Sequence, residues 1–421
     1  LEKLIFSSLK QKSVADFVIG SGHYLLFDKI EKIAQEWDAF TSDDLYYFSE
    51  YLKIIEDSPS LGIRPFYLIE LEQNTIVSVF YYQLKSFKLD ESMSGNAGIN
   101  SNPIKKHISK LVRFSTLVNG NLLLTGKYGY YNLDKQIISI SNIEKVNSIV
   151  CEQITHITKS KPQGFLVKDF YETEIEDINY KGGFTPCVVH PNMIMEIDGR
   201  WNNFDDYLFA LNTKYRTRVK RAEKKLNGVT FKEMSLDEVI EYNEKINELY
   251  KNIALNADFN LFILPDDYFT RLKQVFKDNL IIKGCFLEKE LVGFFTCLYN
   301  YGHLDAHFLG YDLNVNAQNQ LYLNMLLNMI KLGIEKQCVR IFMSRTAIEI
   351  KNSVGAFPHE MLCYFRYNNA IINPLVKPIF DYYKPQKTYI LRSPFKNSES
   401  TVLKDNIEEE NCGLTKILCK K

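Results

Sequence analysis

The chain contains no CxxC pair, although eight cysteines occur among its 421 residues. Cys151, Cys187, Cys285, Cys297, Cys338, Cys363, Cys412 and Cys419 are scattered. That spacing is poor for zinc and fits buried or incidental thiols in a reducing compartment. Net charge is also missing: 51 Lys and Arg offset 51 Asp and Glu. No global field therefore marks nucleic acid as a partner, and no DNA partner is expected. No apolar run reaches the roughly 18 residues of a membrane span, and the first residues, starting at Leu1, lack a signal-peptide pattern. These absences lead to the expectation of a cytoplasmic protein with no integral membrane segment. What is abundant is apolar and aromatic surface. Hydrophobic residues make up 46% of the chain, and 26 Tyr and 28 Phe suit sheet and core packing. A chain of this length with such a composition is globular, with two domains as the prior.

The sequence repeats one pattern. "FYLIELEQNTIVSVFYYQL" (66–84) and "IKGCFLEKELVGFFTCLYN" (282–300) each read as a strand, a polar turn and a second strand. A short strand ending in glycine follows each: "NLLLTG" to Gly126 and "HLDAHFLG" to Gly310. Then comes a long amphipathic helix. Ile138, Ile143, Val146, Ile149, Ile154 and Ile157 supply the apolar positions of the first. Leu321, Leu323, Leu326, Leu327, Ile330 and Ile334 supply those of the second. Buried strands "GFLVKDF" (164–170) and "VRIFMS" (339–344) end the two units. Repetition of strand–strand–strand–helix–strand predicts a mixed α/β fold made of two related domains. They are placed at 1–182 and 183–396, divided at "YKGGFTP". A Ser-, Gly- and Asn-rich loop is expected at 88–110 and a disordered tail at 397–421. "TYILR" (388–392) reads as a last strand.

Three stretches carry candidate chemistry. "FDDYLFALNTKYRTRVKRAEKKLNG" (204–228) predicts two helices, the second with an apolar stripe of Tyr215, Val219, Ala222 and Leu226. Rows of Lys214, Arg218, Arg221, Lys225 and Arg216, Lys220, Lys224 stand beside it. The helix reads either as a solvated face or as a docking face for phosphates of a nucleotide, a coenzyme or a tRNA. "HLDAH" puts His303, Asp305 and His307 on one side of a strand. A proton-accepting pair, a metal site and a hydrogen-bonded structural trio all fit, but no fourth ligand is evident and no metal is expected. "SRTAIEIKNSVGAFP" (344–358) opens with a Thr346–Glu349 capping box and exits at Gly355 and Pro358, with Lys351 in its last turn. Arg345 and Glu349, four apart, read as a surface ion pair.

The order of these segments resembles the GNAT superfamily. "WNNFDDYLFALNTKYRTRVKRAEKKL" (201–226), "SRTAIEIKNSVGA" (344–356) and "GNLLLTGKYG" (120–129) are similar to the tandem-domain branch that includes the Fem-type peptidoglycan aminoacyltransferases. The resemblance covers about 15–395. It implies two tandem GNAT-like domains on a twisted mixed sheet that splays to admit an acyl thioester or acyl ester. It also implies direct attack by an acceptor amine, with acyl-CoA or aminoacyl-tRNA as co-substrate and cell-wall biosynthesis as the setting. The acceptor would be a small molecule or a cell-wall precursor. The glycine loop that holds coenzyme A in typical members is replaced here by "NAQNQLYLNM" (316–325). Gln318 and Asn319 would sit at that degenerate loop, with Arg216, Arg218 and Arg221 on donor phosphates. "KNSVG" (351–355) matches a Fem-type lysine segment, which implies Lys351 as the oxyanion donor; a lysine answering the helix dipole is the other reading. His307 or Asp305 would be the base, and Tyr311, Asp312 and Arg345 would meet the acceptor. The rival reading is a catalytically silent GNAT-like module that binds a polysaccharide precursor or a partner protein.

Overall fold

The computed structural model describes residues 2–88, 113–132, 140–171, 183–257, 261–383 and 389–396. Two tight hairpins organise it. β3 (Ile63–Glu72) and β4 (Thr75–Lys88) turn at Gln73 and Asn74, both with positive φ. Such a turn matches the twist of the strands it joins. β10 (Leu280–Leu287) and β11 (Glu290–Asn300) form the counterpart. Around them lie β1 (Ala15–Ile19), β2 (Gly22–Phe27), β5 (Arg113–Asn119), β6 (Tyr130–Asn132), β7 (Gly164–Tyr171), β8 (Thr185–Glu196), β9 (Val229–Glu233), β12 (His303–Tyr311), β13 (Arg340–Phe342) and β14 (Phe357–Tyr367).

Among the described residues these strands make one fourteen-stranded mixed sheet, ordered β1-β2-β3-β4-β5-β7-β14-β8-β13-β12-β11-β10-β9, with β6 beside β4. The duplication is visible in the pairing. The first hairpin leads to β5, which runs parallel to β7 across a connection containing helix α1 (Ile140–Thr158). The second leads to β12, parallel to β13 across a connection containing the second long helix. β8 follows β7 as β14 follows β13. Counted that way, with β8 in the first unit and not in the stretch 183–396 assigned to the second, each unit lends its last strand to the other: β8 pairs with β13, β14 pairs with β7, and β8 and β14 pair with each other at the centre. The mixed sheet with two like units is the layout the resemblance implied.

Burial follows the periodicity. Val146, Val150 and Ile154 of α1 enter one core, and Leu326, Leu327 and Ile330 of the second long helix enter another. A third core joins the halves, with Trp37, Tyr51 and Tyr67 from one and, from the other, Phe269, Phe294 and Leu249 of the helix α3 (Asn243–Ala254). The six cysteines among the described residues are all free and buried.

Several expectations need correction. The strand that pairs with β4 after the first hairpin is Arg113–Asn119; "NLLLTG" is a loop whose leucines are buried without joining the ladder. No capping box starts the helix α7 (Ile348–Asn352), because its N-cap is Ala347 in the left-handed region and makes no side-chain cap. Arg345 does not pair with Glu349. That carboxylate accepts from Arg392 at 3.1 Å instead. Tyr389–Arg392 is not a strand; the segment is held by side chains, with Arg392 N–H donating to Asn352 Oδ1 at 2.5 Å, and by an isolated bridge from Leu211 to Phe395. Residues 89–112, the residues 172–182 at the expected domain junction, and the tail 397–421 lie outside the described residues.

Candidate active site

The parallel pairs are short. β12 and β13 are in register only from His303–Arg340 to Asp305–Phe342. β5 and β7 hold from Thr116–Gly164 to Asn119–Val167. Past these rungs each pair parts, and a cavity of about 280 Å³ lies in the opening. Asp305, Ala306, His307 and Phe308 line it from β12, with Phe342, Ser344, Arg345 and Thr346 opposite. The first half supplies Leu122–Leu124, Thr125, Tyr128 and Lys168, and Tyr46 and Asn192 complete the polar wall. A register shift in the β11–β12 pairing sets this side: Thr296 Oγ1 both donates to Phe308 O and accepts from its N–H, each at 2.9 Å. Such an irregularity re-aims the side chains around it, so neighbouring residues of β12 face one space.

Asp305 and His307 are chemically distinct in this wall. Burial, and then the nearby Asp44 carboxylate, push the Asp305 carboxyl well above the ordinary carboxylate range. No hydrogen bond or ion pair within the described residues engages that carboxyl. Burial draws His307 down to about 3, so its imidazole is neutral. Its Nε2 lies 2.8 Å from the hydroxyl of Tyr268, on the helix α4 (Tyr268–Phe276), and the ring packs on Phe308 at 4.4 Å. His303, the third member of the expected trio, does not line the cavity and packs its ring against Phe342 at 5.6 Å.

Lys351 is elsewhere. It is 4% exposed, and its Nζ donates to the carbonyls of Met343 at 2.5 Å and Ser344 at 3.4 Å. Burial lowers the amine to about 7. It therefore fixes the backbone where β13 leaves β12, behind the wall formed by Ser344 and Arg345, and does not line the cavity. The placement by the transferring carbonyl that the lysine segment implied is corrected to a positioning one. Gly355 has φ 113°, and an added Cβ would lie 2.5 Å from the Phe395 ring, so the exit from this helix requires glycine.

The remaining expected residues divide. Arg345 does line the cavity. Asp312 instead caps the helix α5 (Leu313–Asn319), accepting from Asn314 and Val315 N–H at 2.8 and 2.9 Å. Tyr311 packs on Tyr322 at 6.0 Å, and neither lines the cavity. On the basic helix α2 (Thr213–Lys224), Val219 and Ala222 are buried while Arg216 and Arg218 are half-buried and Arg221 is exposed. None of the three reaches the cavity, and neither do Gln318 or Asn319. Gln318 is exposed, and Asn319 Nδ2 donates to Leu226 O at 2.8 Å, joining the end of the basic helix to the helix α6 (Leu321–Glu335). At the α6 N-terminus the Tyr322 N–H is taken by Asn316 Oδ1 at 2.8 Å.

One cluster was not anticipated. Asp169, fully buried with φ 62°, is bonded by Lys168 Nζ and by Arg345, and receives the Gly126 N–H at 3.0 Å. Burial would raise its carboxyl, but the two cations outweigh burial and hold it below the ordinary range. Two cations thus share one carboxylate at the edge of the cavity. The signal available was "VKDF" (167–170), an adjacent charged pair inside an apolar strand.

No family model matches the chain, and no curated protein matches it. Solved structures similar to it include FemX, at 11% identity over 86% of this chain and 100% of that one, with a TM-score of 0.49. A tandem GNAT protein from the clavulanic acid biosynthesis pathway is similar at 9% identity over 73% and 84%, TM-score 0.42. A GCN5-related N-acetyltransferase from Sphaerobacter thermophilus is similar at 9% over 82% and 95%, TM-score 0.40.

Proposed function

We propose that this chain transfers an acyl or aminoacyl group from a thioester or ester donor to an amine bound in the cavity between β12 and β13. The observation that carries the reading is Asp305: an unpaired carboxyl, raised by burial, lining a half-open cavity where two parallel strands part. An ammonium cannot attack a carbonyl until it loses a proton. A carboxylate held out of bulk water is a stronger base than an exposed one, which brings its proton affinity closer to that task. The ammonium gives one proton to Asp305 and its nitrogen bonds to the acyl carbon. As the thioester or ester bond breaks, the second proton leaves that nitrogen for the departing sulfur or oxygen, and Asp305 returns the first to solvent. His307, neutral and held by Tyr268, orients the incoming groups without competing for that proton.

The donor lies outside this cavity. Arg216 and Arg218, half-buried, and Arg221, exposed, lie on α2, whose C-terminal end meets the start of α6 through Asn319 and Asn324, and they are the cations this reading assigns to donor phosphates. The capped Tyr322 N–H and the missing glycines weigh against a coenzyme A pyrophosphate at that terminus and favour an aminoacyl-tRNA donor. A cell-envelope precursor as acceptor and a cytoplasmic setting belong to the same reading. The competing binding module draws on the same loss of the phosphate loop, but it gives no reason for an unpaired carboxyl in the cavity.

The test is acyl transfer itself. The full chain, incubated with acetyl-CoA or with charged tRNA and a panel of amines, is expected to yield N-acylated product by mass spectrometry. Asp305→Asn keeps the shape and should lower turnover by about 10²–10⁴-fold. Full turnover in Asp305→Asn, or no product from either donor, would overturn the assignment.

A further inference from the structure

We infer that the acceptor carries a carboxylate as well as an amine, and that Arg345, Lys168 and Asn192 recognise that carboxylate on the wall facing Asp305. This rests on the reading of Asp305 as the amine's partner and adds the second half of the ligand. The cluster of Lys168, Asp169 and Arg345 sets two basic groups against one carboxylate; burial draws the Lys168 amine below its ordinary value, and an anion in the cavity would favour its charged form. Its donors are only partly used. Lys168 Nζ gives one hydrogen to Leu124 O at 2.6 Å and one to Asp169, leaving the third. Arg345 spends its Nη2 on Asp169, while its Nε is buried without a partner. Asn192 is 1% exposed and lines the same cavity; its Nδ2 meets the Tyr171 hydroxyl at 3.0 Å and its Oδ1 has no partner. Turned about its last bond, the carboxamide can accept from that hydroxyl and offer its NH₂ inward. Buried donors of this kind are costly to leave unmade, and an anionic ligand satisfies all three at once.

The opposite wall has the complementary requirement. Asp305 has no cation, and the Asp44 carboxylate nearby adds negative character, so an ammonium fits there. Asp305 sits opposite Phe342, and Arg345 is three residues further along. Arg345 lies past the end of β13, where Ser344 turns the chain at φ 58°, and both it and Asp305 line the same cavity. The space, about 280 Å³, equals that of roughly nine waters, which suits an amino acid or the end of a short peptide and not a nucleotide.

Matched ligands decide the matter. γ-Aminobutyrate, n-butylamine and butyrate share one carbon skeleton and carry both charges, the amine alone or the carboxylate alone. In calorimetric titration of the full chain, γ-aminobutyrate or L-lysine is expected to bind at least about tenfold more tightly than either single-charge analogue. Asn192→Asp places a like charge before the carboxylate and should reduce that preference to about threefold or less. A second variant, Lys168→Met, should lower affinity for γ-aminobutyrate in the same direction, and thermal melts of both free variants establish that they fold. If n-butylamine binds as tightly as γ-aminobutyrate, or if Asn192→Asp leaves the preference intact, the carboxylate assignment is overturned. Binding of γ-aminobutyrate with the expected preference but no acyl transfer from any donor would instead overturn the transferase reading and leave this one standing.

Discussion

Lys351→Met offers a measurement whose sign and size follow from one buried amine. The folded amine has been drawn down to about 7 by burial, while the ordinary value is 10.5. Between those values the unfolded chain holds a proton that the folded chain does not. Stability must therefore rise with pH across that window, the rise beginning near 7 and ending near 10.5. From about pH 7 to about pH 8.5 the linkage amounts to about 1.6 kcal/mol. Methionine keeps most of the aliphatic stem and has no titration, so the variant lacks this slope. It also leaves the Met343 and Ser344 carbonyls without the amine, a loss of about 1–3 kcal/mol for each one left unsatisfied. The assay is urea unfolding of both proteins at the two pH values, read as midpoint shifts at a common denaturant slope. The advantage of the parent over Lys351→Met should grow by about 1.6 kcal/mol at the higher pH. Groups common to both proteins, including the buried cysteines, cancel in that difference. An advantage that stays constant with pH would refute the argument, since it would mean that the amine remains charged in the folded chain.

Other outcomes follow from the same structure. Asp169→Asn leaves Lys168 and Arg345 without their shared counter-charge, and a loss of about 3–5 kcal/mol is expected in denaturant melts. Gly355→Ala forces a side chain onto a backbone at φ 113° and into the Phe395 ring, and should cost about 1–3 kcal/mol by the same assay. Donor binding should weaken with salt, and Arg218→Ala with Arg221→Ala should make the log–log slope shallower by about 1–2. An unchanged slope would make the basic helix a solvated face.

The hairpins and long helices were legible because their signals are local. Alternation over 66–84 and 282–300 and the 3.6-residue period of 321–334 need no knowledge of the rest of the chain. The strand at 113–119 was misplaced because Leu122, Leu123 and Leu124 look like strand residues and are buried for another reason: they form a cavity wall. Two-residue spacing singled out His303, Asp305 and His307, but the irregularity in β12 that brings Ala306 and Phe308 into the same wall and leaves His303 out of it has no signal in the sequence. The role of Lys351 was not, since a lysine's burial depends on which carbonyls the fold brings within its reach. Asp169 and Arg345 lie 176 residues apart, and no pattern within either segment announces the other. Asn192 became visible only when its unpartnered oxygen was found inside a cavity wall.

The exchange of β8 and β14 has a consequence for ancestry and for assembly. Two separate copies of one ancestral unit, each passing its final strand to its neighbour, would form a closed pair about a two-fold axis. Joining them into one polypeptide replaces a concentration-dependent encounter with an intramolecular one. It also releases the halves from identity. One can then accumulate acidic character around Asp305 and the other a cation at Lys168, so that a space once bounded by equivalent walls acquires a direction.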